Sequence, residues 1–249
     1  MGDLPWALVT GASSGLGTEF ALQLARRGHS VVLVGRDKSR LESVAESLAP
    51  MGVDSEVLVA DLHDPSALER VATRLQFTDR PIRVLVNNAG YGIHGSLATS
   101  DLVEERDHLA IHVTVPLELT KAALPGMLER KDGRIILVSS VAGYLARGTY
   151  SAHKAWGLSL ARSLNASHRR DGVHVSAVAP GFTRTEFHQR MRMSIDAFPE
   201  VMWLRAERVV RDALRGVEAG RAVVVPSIRY RLLVRVSKIL PARTHQWGT

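Results

Sequence analysis

The chain has no cysteine among its 249 residues. That excludes disulfides, thiol nucleophiles and zinc centres built on thiolate, agrees with a reducing compartment, and makes a cytoplasmic location the expectation. Long apolar runs are also missing. Nothing approaches the roughly 18 consecutive apolar residues of a membrane-spanning helix, and the first hydrophobic run, Leu4 to Val9, is too short for a secretory signal and leads into a glycine-rich turn. Trp6 stands where a myristoylation motif wants Ser or Thr. Acid is missing from the end of the chain. Residues 1–183 hold 19 basic and 19 acidic side chains, whereas residues 184–249 hold 13 and 6, so the net charge of +7 comes from the last quarter. Arg221, Arg229, Arg231, Arg235, Lys238 and Arg243 all follow Glu218, the last acid. Aromatics are only 5% of the residues. Without stacking aromatics, a reader module or a basic face drawn from the whole fold, no nucleic-acid partner is expected.

What is present is an alternation. At 45% hydrophobic and 23% charged, the chain can build one sizeable core, and a single domain over 1–249 is expected. Short Val/Ile/Leu-rich runs mark strands at Leu4 to Thr10, Ser30 to Gly35, Glu56 to Ala60, Arg83 to Asn87, Arg134 to Ser139, His174 to Ala179 and Ala222 to Val225. Helical patterns lie between them near 15–28, 37–49, 65–77, 101–129, 150–170 and 206–219. Such βαβ repetition predicts a doubly wound parallel sheet of seven strands. Thr183 to Trp203 breaks the alternation. It follows the sixth strand, where ligands bind in such folds, so a helical lid is expected over about 184–204, with a basic C-terminal helix over about 227–249.

Thr10-Gly11-Ala12-Ser13-Ser14-Gly15-Leu16-Gly17 joins the first strand to the first helix. Glycines there let the backbone approach a pyrophosphate, and the helix N-terminus offers N–H groups and a positive dipole end. The second strand ends not on the acid that binds an NAD ribose but on Gly35, followed by Arg36. A guanidinium suits a 2′-phosphate, so NADP is the expected dinucleotide. Asp37 comes next, and pairing Arg36 with an acid is the competing reading. Tyr150-Ser151-Ala152-His153-Lys154 sets a phenol and an amine on one helix face. A nearby ammonium favours phenolate over phenol, bringing a group of pKa about 10 toward general acid/base work.

These stretches, with Asn87-Asn88-Ala89-Gly90, Ser139-Ser140 and Pro180-Gly181, resemble the short-chain dehydrogenase/reductase family over nearly the whole chain. The resemblance implies a Rossmann fold with strand order 3-2-1-4-5-6-7 and a carbonyl–alcohol oxidoreductase using NADP(H). It implies Tyr150 as catalytic acid or base, Lys154 lowering its pKa and holding the nicotinamide ribose, and Ser140 bonding the substrate oxygen. Cofactor contacts are implied for Gly11, Ser13, Ser14, Gly15, Leu16 and Gly17, for Arg36, Asp61 and Leu62, for Asn87, Ala89 and Gly90 on the adenosine side, and for Tyr150 and Lys154; the other reading of Asn87 and Gly90 is that they stabilise the sheet without touching the cofactor. The run from Pro180 through Gly181 to Thr185 would meet the nicotinamide amide, mainly through Thr183. No metal site is expected, and a homodimer or homotetramer through the fourth and fifth long helices is implied.

Two features depart from the family's pattern. His112 stands at the position of the asparagine that holds a water in the proton relay behind the lysine. Either the imidazole sustains the relay, or His112 only fills space while other groups carry it. Ser140 lies only ten residues before Tyr150, a short reach that leaves Ser139 as the alternative. Phe187, Met191, Met193, Ile195, Phe198, Met202 and Trp203 give the lid a large apolar content, with Tyr144 and Leu145 as further wall. They predict an apolar carbonyl or alcohol substrate, unless they only pack the lid onto the sheet. Leu232, Leu233, Val236, Ile239 and Leu240 form a stripe on a basic amphipathic helix. Docking on the protein's own body or a subunit is the favoured reading, ahead of an anionic membrane surface. The alternative to an enzyme is a non-catalytic NADP-binding sensor or scaffold.

Overall fold

A computed structural model describes residues 4–93, 96–186 and 199–237. Strands β1 (Trp6–Thr10), β2 (Ser30–Gly35), β3 (Ser55–Val59), β4 (Ile82–Asn87), β5 (Gly133–Val138) and β6 (Val173–Val178) make a parallel sheet. Counting the short strands β7 (Thr183–Arg184) and β8 (Leu204–Arg205), the seventh sheet strand is β9 (Val223–Val224), and the order is 3-2-1-4-5-6-9. The expected fold and order hold. The pair β7 and β8 forms a separate parallel ribbon that the sequence did not suggest.

Successive strand residues face opposite layers, and both are apolar. Leu8, Val32, Leu85, Ile135 and Val175 share one core with α3 (Pro65–Leu75), α5 (Val115–Arg130) and α6 (Gly148–His168). Ala7, Val9, Val31, Leu33 and Val86 share the other with α1 (Gly15–Ala25), α2 (Lys38–Leu48) and α7 (Ala206–Glu218). Each fully buried Leu or Val contributes about 1.5–3 kcal/mol. Burial on both faces is why these strands read as continuous apolar runs. Strand order reverses between β1 and β4, which opens a crevice at their carboxyl ends.

The predicted helix over 101–129 is not continuous. It divides into α4 (Leu102–Leu109), a wide π turn at Ala110–Thr114, and α5. Pro116 explains the break: it has no N–H to offer the carbonyl four residues back, and its ring crowds that carbonyl. The carbonyl is that of His112. The C-terminal helix α8 (Ile228–Ser237) also differs from expectation. Its buried residues are Tyr230 and Val234, while Ile228, Leu232, Leu233 and Val236 are exposed. Leu232, Leu233 and Val236 of the expected stripe therefore do not dock on the protein's own body. A tyrosine seats the helix instead, because its hydroxyl accepts from the Phe182 N–H at 3.1 Å and donates to the Met202 carbonyl at 2.8 Å. Ile239 and Leu240, and lid residues Phe187, Met191, Met193, Ile195 and Phe198, lie outside the described residues. Among the described residues no helix is long and apolar enough to cross a membrane.

Candidate active site

Tyr150 sits in the first turn of α6 and Lys154 one turn later, with Nζ 5.6 Å from the phenol ring centre. The end of β5 is laced to this turn. Lys154 Nζ donates to the Val138 carbonyl at 2.8 Å, and the buried Ser139 hydroxyl donates to the Lys154 carbonyl at 2.7 Å. Ser140, the next residue, turns the other way. Its side chain bonds that of Tyr150, and its hydroxyl accepts from the Ala142 N–H at 3.1 Å. The short reach from Ser140 is absorbed by a tight 3₁₀ turn at Val141–Tyr144. Gly143 lets that turn press on α6, since a Cβ there would lie 2.8 Å from the Lys154 carbonyl carbon.

Burial governs the charges. It lowers Lys154 to about 7 and pushes Tyr150 up to about 12, the Ser140 hydrogen bond offsetting part of the latter. Desolvation is the first cause of the Tyr150 rise, and the group that opposes it is Ser140 rather than Lys154. Behind the pair lies a cavity of about 20 Å³ bordered by Asn87, His112, Ser139, His153 and Lys154. That is room for about one water. The buried Asn87 amide Oδ1 has no protein partner among the described residues. His112 lies in the π turn with its ring on Gly90, where a Cβ would come within 2.3 Å of Cε1. Its pKa is well below the ordinary value, first through burial and then through Lys154 and His108.

At the other end of the crevice, the glycine loop turns with φ of 64° at Gly11 and 57° at Gly15. Gly17 packs so closely that a Cβ would lie 2.0 Å from the Gly11 carbonyl oxygen. Helix α1 begins without a side-chain cap and without an acid in its first turn, which suits an anion at its amide end. Thr10 and Asn88 hold the loop. The Thr10 hydroxyl accepts from the N–H groups of Asn88 and Ala89 at 2.9 and 3.0 Å, and the Asn88 amide donates to the Thr10 carbonyl at 2.9 Å. Arg36 projects from the end of β2 with 71% of its side chain exposed, 3.9 Å from Asp61. Asp37 caps α2 by accepting from the Arg40 N–H at 3.1 Å.

The family model described as short chain dehydrogenase matches residues 5–195. The chain belongs to the short-chain dehydrogenase/reductases. Oxidoreductase UcpA of Escherichia coli K12 is 36% identical over 185 residues, covering 72% of this chain and 69% of that protein. A short-chain dehydrogenase from Sphingobium yanoikuyae, solved in complex with NADPH, has a TM-score of 0.85 at 34% identity, over 99% of this chain and 98% of its own. A bulky-bulky ketone specific alcohol dehydrogenase from Comamonas testosteroni has a TM-score of 0.81 at 32% identity, over 100% and 98%. The chain is accordingly an oxidoreductase of the CH–OH/C=O class on a fold that binds NAD(P).

Not every residue implied by the short-chain dehydrogenase/reductase pattern faces the crevice. Leu62 is buried in the core, because the chain turns inward as α3 begins. The Asn87 side chain is directed at Thr120, 3.4 Å away, and at the cavity behind Lys154 rather than the adenosine side. The Thr183 hydroxyl is spent on the Gly181 carbonyl at 2.9 Å and is buried. Thr185 is the residue over the glycine loop, 3.1 Å from where a Gly15 Cβ would stand. Tyr144 packs on the core and, at 3.4 Å, Arg162. Asn88, Tyr91, His108, His153 and Tyr230 were not foreseen. Asn88 and His153 had a signal, each lying inside a motif already noted. The others act through tertiary contacts that no spacing reveals.

Proposed function

We propose that the protein is an NADP(H)-dependent carbonyl reductase or alcohol dehydrogenase acting on an apolar carbonyl compound or its alcohol. The observation that carries this reading is the contact of Ser140 with Tyr150 one helical turn from Lys154, at the carboxyl end of β5 and beside the glycine crevice. NADP is favoured by the exposed Arg36 guanidinium and by the use of Asp37 as a helix cap, and the Sphingobium relative was solved with NADPH. The substrate class is favoured by Phe182, Met202 and Trp203 at the described edge of the lid, where the Phe182 and Trp203 rings lie 5.5 Å apart, and by the bulky ketone of the Comamonas relative. Leu102, Val103, Leu109 and Leu117, exposed on α4 and α5, fit the association of copies into a dimer or tetramer.

The residues fit a nicotinamide dinucleotide, which when bound supplies or accepts the hydride. The amide end of α1 takes the pyrophosphate, and Arg36 takes the 2′-phosphate. Tyr150, neutral at physiological pH, donates its proton to the carbonyl oxygen in reduction. Ser140 orients that oxygen by hydrogen bond. Lys154, near 7, exchanges protons close to neutrality and restores the Tyr150 hydroxyl. A panel of apolar ketones with NADPH, followed through reduced-nicotinamide absorbance, tests the proposal. Turnover of at least one ketone is expected, with Tyr150→Phe lowering kcat by about 10²–10⁴ while NADPH still binds. No turnover across the panel, with NADPH bound, returns the chain to the sensor class.

A further inference from the structure

The sequence points to His112 alone, but the structure sets it in a row of three imidazoles. The Tyr91 carbonyl oxygen lies 2.7 Å from His112 Nε2 and 3.2 Å from His108 Nε2. A carbonyl only accepts, so both Nε2 atoms carry hydrogen. Burial holds both rings neutral, His108 at about 4 and His112 lower than its ordinary value by a wide margin, which leaves both Nδ1 atoms bare. His153 Nδ1 lies 3.1 Å from His108 Nδ1. Since His108 Nδ1 can only accept, His153 Nδ1 donates, and the bare nitrogen of a neutral His153 is Nε2. One main-chain carbonyl thus fixes the tautomers of three rings in succession.

The outermost ring has a second property. His108 is fully buried but His153 is only partly buried, and His153 also borders the cavity behind Lys154. The charged groups facing it are Glu105 of α4, which favours a proton there, and Lys154 of α6, which opposes one. Glu105 is held in place by the Ser100 hydroxyl at 2.7 Å and by Thr149.

We infer that His153 is the proton port of the site, a ring locked by His108 and Tyr91 with a bare Nε2 that exchanges protons between solvent and a water in the cavity. The inference rests on the function proposed above. In reduction the substrate carbon takes the hydride's electron pair while its oxygen takes the Tyr150 proton. Lys154 ammonium reprotonates the phenolate, the cavity water reprotonates the amine, the His153 imidazolium reprotonates the water, and solvent reprotonates His153. One proton is consumed per carbonyl reduced, and oxidation reverses every transfer. His112 and His108 fix geometry rather than conduct, because the carbonyl between them has no proton to pass.

Two readouts test this. In the ¹⁵N-histidine NMR spectrum of the full chain, His153 should be protonated at Nδ1 and His108 and His112 at Nε2. In steady-state kinetics, His153→Ala should lower kcat about tenfold with KM unchanged and regain it with added imidazole, and His153→Gln should lose as much. An Nε2-protonated His153, an unchanged kcat in either variant, or a loss that imidazole does not restore overturns the port. A wild type that reduces no carbonyl overturns the proposed function and the port together, whereas an active wild type with unimpaired His153 variants overturns the port alone.

Discussion

Ser139 and Ser140 are neighbours with the same side chain, yet strand alternation sends them to different tasks. Ser139 is buried and tied to the Lys154 carbonyl, so Ser139→Ala should cost about 1 kcal/mol of stability, read from denaturant midpoints. Ser140 meets Tyr150. Ser140→Ala also loses the hydrogen bond from the Ala142 N–H, so its midpoint should fall by a similar amount, but it alone should lower kcat by about 10², the order of one lost donor to a developing oxyanion. Equal effects on rate in the two variants would reject this division. Arg36 is argued at the same scale. Its guanidinium is largely exposed and only 3.9 Å from Asp61, a distance that holds it loosely and leaves it able to reach a phosphate. Arg36→Asp should shift the ratio of NADP to NAD dissociation constants by more than tenfold toward NAD, about 1.4 kcal/mol for each factor of ten. Titration of both dinucleotides by tryptophan fluorescence reads the shift, and an unchanged ratio removes the NADP assignment.

At the scale of elements, α8 is seated by Tyr230 and Val234 and by Arg229, which donates to the Val201 carbonyl at 2.7 Å. Gly181 leaves space for the Tyr230 ring, since a Cβ there would fall 2.0 Å from Cζ, and the hydroxyl bridges Phe182 to Met202. Tyr230→Phe keeps the ring but removes both hydrogen bonds, so a loss of about 1–3 kcal/mol is expected, with faster amide exchange in α8. Unaltered exchange there would mean that Val234, Arg229 and the ring hold the helix without the hydroxyl. The same two elements show what the chain made legible. Strand positions were readable because sheets buried on both faces give continuous runs such as Ser30–Gly35, whereas their order came only from the family resemblance. Tyr150 and Lys154 were readable because helical spacing is local. The seat of α8 was not: hydropathy chose Leu232 and Leu233, but a hydroxyl with two backbone partners across the fold decided it. Nor was the role of Pro116, which looks ordinary in a helix start and acts by widening the turn that aims His112. The imidazole row stayed hidden for a third reason, because its anchor is a backbone carbonyl, and every residue type has one.

For the whole molecule, the burial of ionisable groups sets a common sign. His29, His108, His112, His153 and His174 all have pKa values lowered, with burial the first cause. Between each folded value and the ordinary 6.5, the unfolded chain binds more protons than the folded one, so stability rises with pH. Their full contribution is present above about pH 6.5 and is lost as pH falls toward their folded values, about 4 for His108. Lys154 extends the slope upward. With a folded value of about 7 against 10.5, its neutral amine favours the fold increasingly from pH 7 to 10. The buried phenols reverse the trend. Tyr150 at about 12, with Tyr91, Tyr144 and Tyr230 also raised, stays protonated where the unfolded chain ionises, so stability falls above pH 10. Urea unfolding of the protein without nucleotide should therefore show a midpoint that climbs from pH 4 to 6.5, climbs again from 7 to 10, and then declines. Lys154→Met should abolish the second climb and leave the first intact. A wild-type midpoint flat from pH 7 to 10 would mean that Lys154 keeps its proton in the folded chain. The amine would then be a fixed cation beside Tyr150 rather than an exchanger working near neutrality.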